Sequence, residues 1–192
     1  MAKFTVTASP ETDIWRKPPS TDVFSAPTHA LIDSPAPLKS FQRARVTFNG
    51  PWTTRYDQGG LLLHLTNPSK PTDYWVKTGI EYYMDRPNIS TVATQSWSDW
   101  SVFPVGSDNV TIEVRREGDE LGTSLWVYQI VKSKDGSAEE REPLREITWF
   151  FAEEDGWSLD VRAMAARPAK EGDVIGPKEL VVEFFDAEVV FE

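Results

Sequence analysis

The stretch 73-DYWVKTGIEYY-83 reads as one β-strand with two unlike faces. Side chains of a strand alternate between the two sides of a sheet. Tyr74, Val76, Thr78, Ile80 and Tyr82 therefore share one face, and Asp73, Trp75, Lys77, Gly79, Glu81 and Tyr83 share the other. The first set is mostly apolar and fits a core. The second combines aromatics, charges of both signs and a glycine, a composition able to hold a ligand.

Working outward, the same alternation recurs. In the segment Ser40 to Asn49, Ala44, Val46 and Phe48 oppose Arg43, Arg45 and Thr47. In Gln58 to Thr66, Leu61, Leu63 and Leu65 oppose Gln58, Gly60, Leu62 and His64. Further strands are expected at Phe4 to Ala8, His29 to Asp33, Asn88 to Thr94, Val110 to Arg116, Thr123 to Val131 and Leu180 to Phe191. Leu144 to Phe151 and Trp157 to Ala165 read as a pair joined by the turn AEEDG, and KSKDGSAEEREP from Lys132 to Pro143 as a charged hairpin loop. Pro18, Pro19 and Pro27 argue against regular pairing between Thr12 and Thr28, so that stretch is expected as a loop over the sandwich, anchored by Asp13 and Trp15. No segment carries a convincing helical stripe. Parallel pairing would need crossover helices, so an antiparallel β-sandwich is the expected class, with residues 1–192 as a single domain.

Thirty acidic residues against 20 basic ones give a formal net charge of −10, which disfavours nucleic acid and anionic membranes as partners. The chain has no cysteine. Disulfides, thiolate metal sites and cysteine nucleophiles are thereby excluded, and a reducing compartment is allowed. The N-terminus lacks an apolar signal core and no apolar run approaches a membrane span, so a cytoplasmic protein is expected. Nucleophile-elbow and phosphate-binding glycine motifs are absent.

The order and spacing of QGGLLLHL (58–65), YWVKTGIEYY (74–83), STVAT (90–94) and SDWS (98–101) resemble a family of domains of unknown function. Its fungal members are described as regulation-of-enolase proteins, and it belongs to the concanavalin A-like lectin/glucanase superfamily. TDIWRKPP, WSLDVRAMAARP and LVVEFFDAEVVFE look like further landmarks, although Ala166-Arg167-Pro168 replaces the usual small-residue and Ser-Pro ending. The resemblance implies an all-β jelly-roll sandwich of two antiparallel sheets, with the concave sheet as the usual ligand face. It implies no reaction.

Lys77 and Glu81 lead the site candidates. Four residues apart, their Cα atoms lie roughly 13 Å apart along an extended strand, so they do not pair directly. Gly79 between them would leave an open floor for a ligand or a neighbouring aromatic. The competing explanation is a pair of cross-strand salt bridges on a solvated face. Trp75 and Tyr83 flank them as stacking platforms for a sugar ring, or else as packing residues. Trp97 and Trp100 have opposite parity, so one is expected to pack inward while the other faces the loop or the concave side. Asp99 could accept hydrogen bonds from sugar hydroxyls or fix its own turn.

Retaining glycosidases need two carboxyls about 5 Å apart, and Glu81 has Gly79 and Tyr83 at the flanking positions. A partner would have to come from Asp99 or Glu113 on another strand. His64 is an acid/base candidate or a structural histidine. With His29 the only other histidine, no dedicated metal site is expected. Arg43, Arg45, Arg115 and Arg162 could gather around an anion, or neutralise the many glutamates.

These readings point to a cytoplasmic, non-catalytic carbohydrate- or small-metabolite-binding module with a regulatory role in carbon metabolism and no cofactor. A sugar or sugar phosphate would be held by Trp75, Lys77, Glu81, Tyr83, Trp97, Asp99, His64 and Arg45. Two alternatives stay open. One is a protein–protein regulator of a metabolic enzyme such as enolase. The other is a glycosidase- or isomerase-like enzyme using Glu81, with Asp99 or His64 as further catalytic candidates.

Overall fold

The computed structural model describes residues 3–107, 109–133 and 137–192. Along the chain the strands are β1 (Phe4–Ala8), β2 (Ile14–Lys17), β3 (Thr21–Phe24), β4 (Thr28–Ala30), β5 (Ala36–Pro37), β6 (Phe41–Asn49), β7 (Gln58–Thr66) and β8 (Tyr74–Tyr83). They continue as β9 (Arg86–Thr94), β10 (Ser98–Pro104), β11 (Asn109–Asp119), β12 (Gly122–Lys132), β13 (Glu139–Ile147), β14 (Ser158–Ala166) and β15 (Leu180–Phe191). Two single-turn 3-10 helices, Leu38–Ser40 and Glu171–Asp173, are the helical segments among the described residues.

The strands form a jelly-roll sandwich of two antiparallel sheets. One has six strands in the order β1-β15-β6-β11-β12-β13, the other the path β10-β9-β8-β7-β14-β4 with β5 also on β14. Between them the inward sets of each strand fuse into one core. Ala44, Val46 and Phe48 meet Leu61, Leu63 and Leu65, Val76 and Ile80, and Ile112, Val114 and Phe184, all at most 1% exposed. Each such side chain contributes about 1.5–3 kcal/mol through burial, and the period-2 pattern directs them all to one side.

Three features depart from the sequence expectations. The proline-flanked stretch is a second-layer hairpin, in which Ile14–Lys17 pairs with Thr21–Phe24 while Pro18 and Pro19 occupy its turn. Prolines at a turn remove no ladder hydrogen bond, so they permit the pairing that they seemed to forbid. The charged segment after Lys132 supplies most of β13. Glu139–Lys132 to Leu125–Ile147 pair as an edge, while the expected loop tip at residues 134–136 lies outside the described residues. Finally, β13 and β14 do not pair. β13 ends at Ile147, and turns carrying Trp149, Phe150 and Phe151 lead across the core to the other sheet. Three consecutive aromatics bury better in that passage than on alternating faces of a strand.

A buried ion pair ties the loops at one end of the sandwich. Arg167 grips Asp57 with two 2.7 Å hydrogen bonds, and the two side chains are 1% and 0% exposed. Asp57 also accepts the Thr53 and Thr54 amides, and Arg167 donates to the Pro177 and Lys178 carbonyls. Such a pair is tolerated in the interior only when these remaining hydrogen bonds are made.

Candidate functional site

The outward face of the seven-stranded sheet is covered, and the cover makes the site. Alternation in β2 sends Ile14 and Arg16 down onto the sheet, while Asp13, just before the strand, Trp15 and Lys17 line a pocket beside it. Ile14 is fully buried against Leu62, Trp75, Val92, Met164 and Ala166, a second small core. Arg16 bolts the hairpin down. Its amide donates to Ser98 Oγ at 2.9 Å, and its guanidinium donates to the Asp73 and Gln95 carbonyls and to Asp22.

At one end of the covered face lies a pocket of about 240 Å³ lined by Asp13, Trp15, Lys17, Tyr56, Gln58, Lys77, Glu81 and Trp100. Lys77 Nζ donates to Gln58 Oε1 at 2.7 Å and pairs with Asp13 Oδ1 at 3.2 Å. The same Asp13 oxygen accepts from Gln58 Nε2 and from the Ile14 amide. Lys77 also sits 6.0 Å from the Trp15 ring centroid. On the other side, Trp100 Nε1 donates to both Glu81 Oε2, at 3.0 Å, and Ser90 Oγ, at 3.1 Å. Lys77 and Glu81 are only 5% and 6% exposed. Burial is the main cause that lifts the Glu81 carboxyl above the ordinary carboxylate range, and the Asp13 charge adds to it. Lys77 and the hydrogen bonds from Ser90 and Trp100 pull the other way.

Aromatic rings hold the pocket wall. Tyr56 adopts a left-handed backbone, φ 68°, in the loop that Asp57 closes. Its ring stacks on Tyr83 at 5.7 Å, Tyr83 meets Trp100 edge-on at 5.2 Å, and Arg55 lies over Tyr56. Tyr83 thus supports the wall from behind.

The structure brings Lys77 and Glu81 together with hairpin residues, sets Tyr83 behind the wall and separates the remaining candidates from them. Trp75, 1% exposed, is no open platform, because Ile14 packs over it. Its indole nitrogen is buried with no hydrogen-bond partner among the described residues. Asp99 points to the opposite side of β10 from Trp100 and pairs with Arg145 at 2.6 Å. Trp97 stands 46% exposed in the turn before β10, outside the pocket lining. His64 lies six residues along β7 from Gln58, roughly 20 Å at strand rise, and bonds Asp73 Oδ2 at 3.0 Å beneath Phe24. It therefore does not reach Glu81.

Arg45 belongs to the six-stranded sheet, where Glu139 holds it bidentately at 2.7 and 2.8 Å. Arg43 and Arg115 share that sheet and flank Glu113, which is therefore no partner for Glu81. Arg162 is on the covered sheet but bonds Asp160 and Thr28. Nor is Gly79 an open floor. It lies opposite Gly60, and a Cβ on either would collide with the neighbouring strand's backbone, so the two glycines serve the close approach of β7 and β8.

Asp13 and Trp15 were legible only as anchors, Gln58 only as a face residue, and Trp100 only as one of two alternatives. Lys17 shares the alternation of 13-DIWRK-17, a signal obscured by the adjacent prolines. Tyr56 has no local signal at all. Among the described residues, no group of three or more His, Asp or Glu stands close enough to hold a metal ion, and no helix is long and apolar enough to cross a membrane.

Residues 1–187 match the model of a family described as "Protein of unknown function (DUF1349)". An uncharacterized protein of Emericella nidulans is 45% identical over 190 residues, covering 97% of this chain and 88% of the relative. A functionally unknown protein from Saccharomyces cerevisiae superposes with a TM-score of 0.69 at 22% identity, over 99% of this chain and 88% of the other. An alginate lyase from Pseudomonas aeruginosa superposes with a TM-score of 0.55 at 11% identity, over 90% and 76%. At these identities the two solved structures share the fold.

Proposed function

This chain belongs to the DUF1349 family of proteins of unknown function, and on that premise we propose that it is a non-catalytic binding module whose pocket holds a sugar unit. One observation carries the reading: a polar floor of buried Gln58, Lys77 and Glu81 with half-buried Asp13 is walled by Trp15, Trp100 and Tyr56. A sugar ring presents hydroxyls on its edge and apolar C–H groups on its faces. Carboxylate, amide and ammonium groups match the edge, and indole and phenol rings match the faces. The alginate lyase that shares the fold acts on a carbohydrate by name, which supports the ligand class. A regulatory role in carbon metabolism is the setting in which such a module would act.

A second reading, a glycosidase-like enzyme with Glu81 as general acid, is favoured by two facts. Burial keeps the Glu81 proton on to higher pH, and a second carboxylate, Asp13, lines the same pocket.

The test is a thermal-shift screen of the wild type and Lys77→Met against monosaccharides, oligosaccharides, uronates and sugar phosphates. A ligand at about a hundred times its dissociation constant adds roughly 2.7 kcal/mol, a shift of roughly 5–10 °C for a chain of this length. The expected result is a shift in the wild type that is lost in the variant. A flat screen sinks the sugar reading, and turnover of a binding glycoside that is lost in Glu81→Gln would favour the enzyme.

A further inference from the structure

We propose, resting on the sugar reading, that the pocket takes a single terminal unit, either a free monosaccharide or the last residue of a glycan, and cannot hold an internal segment of a chain. The hairpin that builds the pocket also partitions the face on which it sits. Asp13, Trp15 and Lys17 line the pocket, whereas Arg16, Asp22 and Phe24 of the same hairpin line a separate groove with His64, Asp73 and Trp75. A sugar chain running along the sheet from one to the other would have to pass through β2 and β3.

That barrier is fixed. Ile14 sits at 0% exposure on the sheet, Arg16 reaches two backbone carbonyls and Ser98, and Asp13 is tied to both Lys77 and Gln58. At the other boundary stands Tyr56, whose loop is closed by the buried Asp57–Arg167 pair. The pocket's volume of about 240 Å³ falls just below the range of roughly 300–1,000 Å³ for sites that enclose drug-sized ligands, and so fits one ring rather than several. Lys77 and Glu81, its most deeply buried charged groups at 5% and 6% exposure, would bond the hydroxyls of a terminal residue against the wall that Asp13 and Trp15 form. An internal residue would direct one of its two glycosidic oxygens and the next sugar into that wall.

The prediction is a flat dependence of affinity on chain length. Each linear chain offers one fitting end whatever its length, whereas a groove adds contacts with every unit. The full chain, labelled with ¹⁵N, is titrated with the mono-, di- and hexasaccharides of glucose, mannose and galactose. The indole N–H signals of Trp15 and Trp100 are followed, assigned from Trp15→Phe and Trp100→Phe. The expected result is that at least one series moves these signals, with dissociation constants for one, two and six units agreeing within about threefold. A hexasaccharide bound more than about tenfold tighter than its monosaccharide, or one excluded while the monosaccharide binds, overturns the terminal-unit assignment and leaves the sugar reading standing. No movement in any series overturns both.

Discussion

The outward faces of the two sheets carry similar residues and use them in opposite ways. On the six-stranded sheet, Glu113 is fully buried under Arg43, Arg115 and Arg141, which approach it at 3.4, 3.4 and 2.7 Å, while Arg45 is clasped by Glu139 and Arg43 also reaches Glu188. Every one of these cations has a carboxylate, and their side chains keep between 22% and 49% of their surface exposed. On the seven-stranded sheet, Lys77 and Glu81 are equally buried, but what covers them is another piece of chain. The hairpin brings in Asp13 and Trp15 and leaves a pocket beside the buried charges. A flat sheet face paved with long charged side chains neutralises itself. On the other sheet a second layer covers the charges and leaves a pocket beside them.

The most forceful way to break this contrast is to loosen the cover. Ile14→Ala is expected to cost about 3 kcal/mol, because it removes the side chain that docks the hairpin and leaves a cavity over Leu62 and Trp75. Urea unfolding measures the loss, and limited proteolysis should then find residues 14–24. A variant as stable and as protease-resistant as the wild type would show that the hairpin is held by its polar contacts alone.

A smaller, pH-gated effect sharpens the contrast from inside the pocket. The folded state raises the Glu81 carboxyl above its ordinary range, so the fold favours the protonated form. That contribution is fully present below the unfolded carboxylate pKa and is lost as pH rises through the raised value. Wild type minus Glu81→Gln stability, measured by denaturation across this window, should therefore decline with rising pH. A flat difference would mean that Glu81 titrates as an ordinary carboxylate.

The smallest effect belongs to the other face. Arg45→Met removes one half of a pair whose Glu139 is held below the ordinary carboxylate range chiefly by its hydrogen bond from Arg45. An exposed pair contributes little and is screened by salt. The variant should show the least change of the three, vanishing at high ionic strength. A loss that persists in salt would make this face more than a solvated network.

The faces of β6, β7 and β8 were legible because alternation is local. A run such as Leu61, Leu63, Leu65 declares its inward side without reference to the rest of the chain. The same rule located Lys77 and Glu81 on one face. It misled at Trp75, since parity says which side a residue points to and not what lies above it. It left Trp97 and Trp100 undecided, because the register of β10 against β9 begins only at Ser98. It gave Arg45 the same polar character as Lys77 although the two stand on different sheets.

By itself, then, the sequence determined the antiparallel class, the inward and outward sets of the long strands and the exclusion of cysteine chemistry. These follow from composition and from a two-residue period. Only the tertiary structure decided that the hairpin of residues 14–24 lies on the seven-stranded sheet, that Asp13 meets Lys77 across 64 positions of chain, that Trp100 turns to Glu81 while Asp99 turns away, and that Arg167 closes the Tyr56 loop through Asp57, 110 positions distant. Those contacts join segments with no local pattern in common. Those beneath the hairpin form only when burial of Ile14 and the rings around it outweighs the cost of desolvating the charges there.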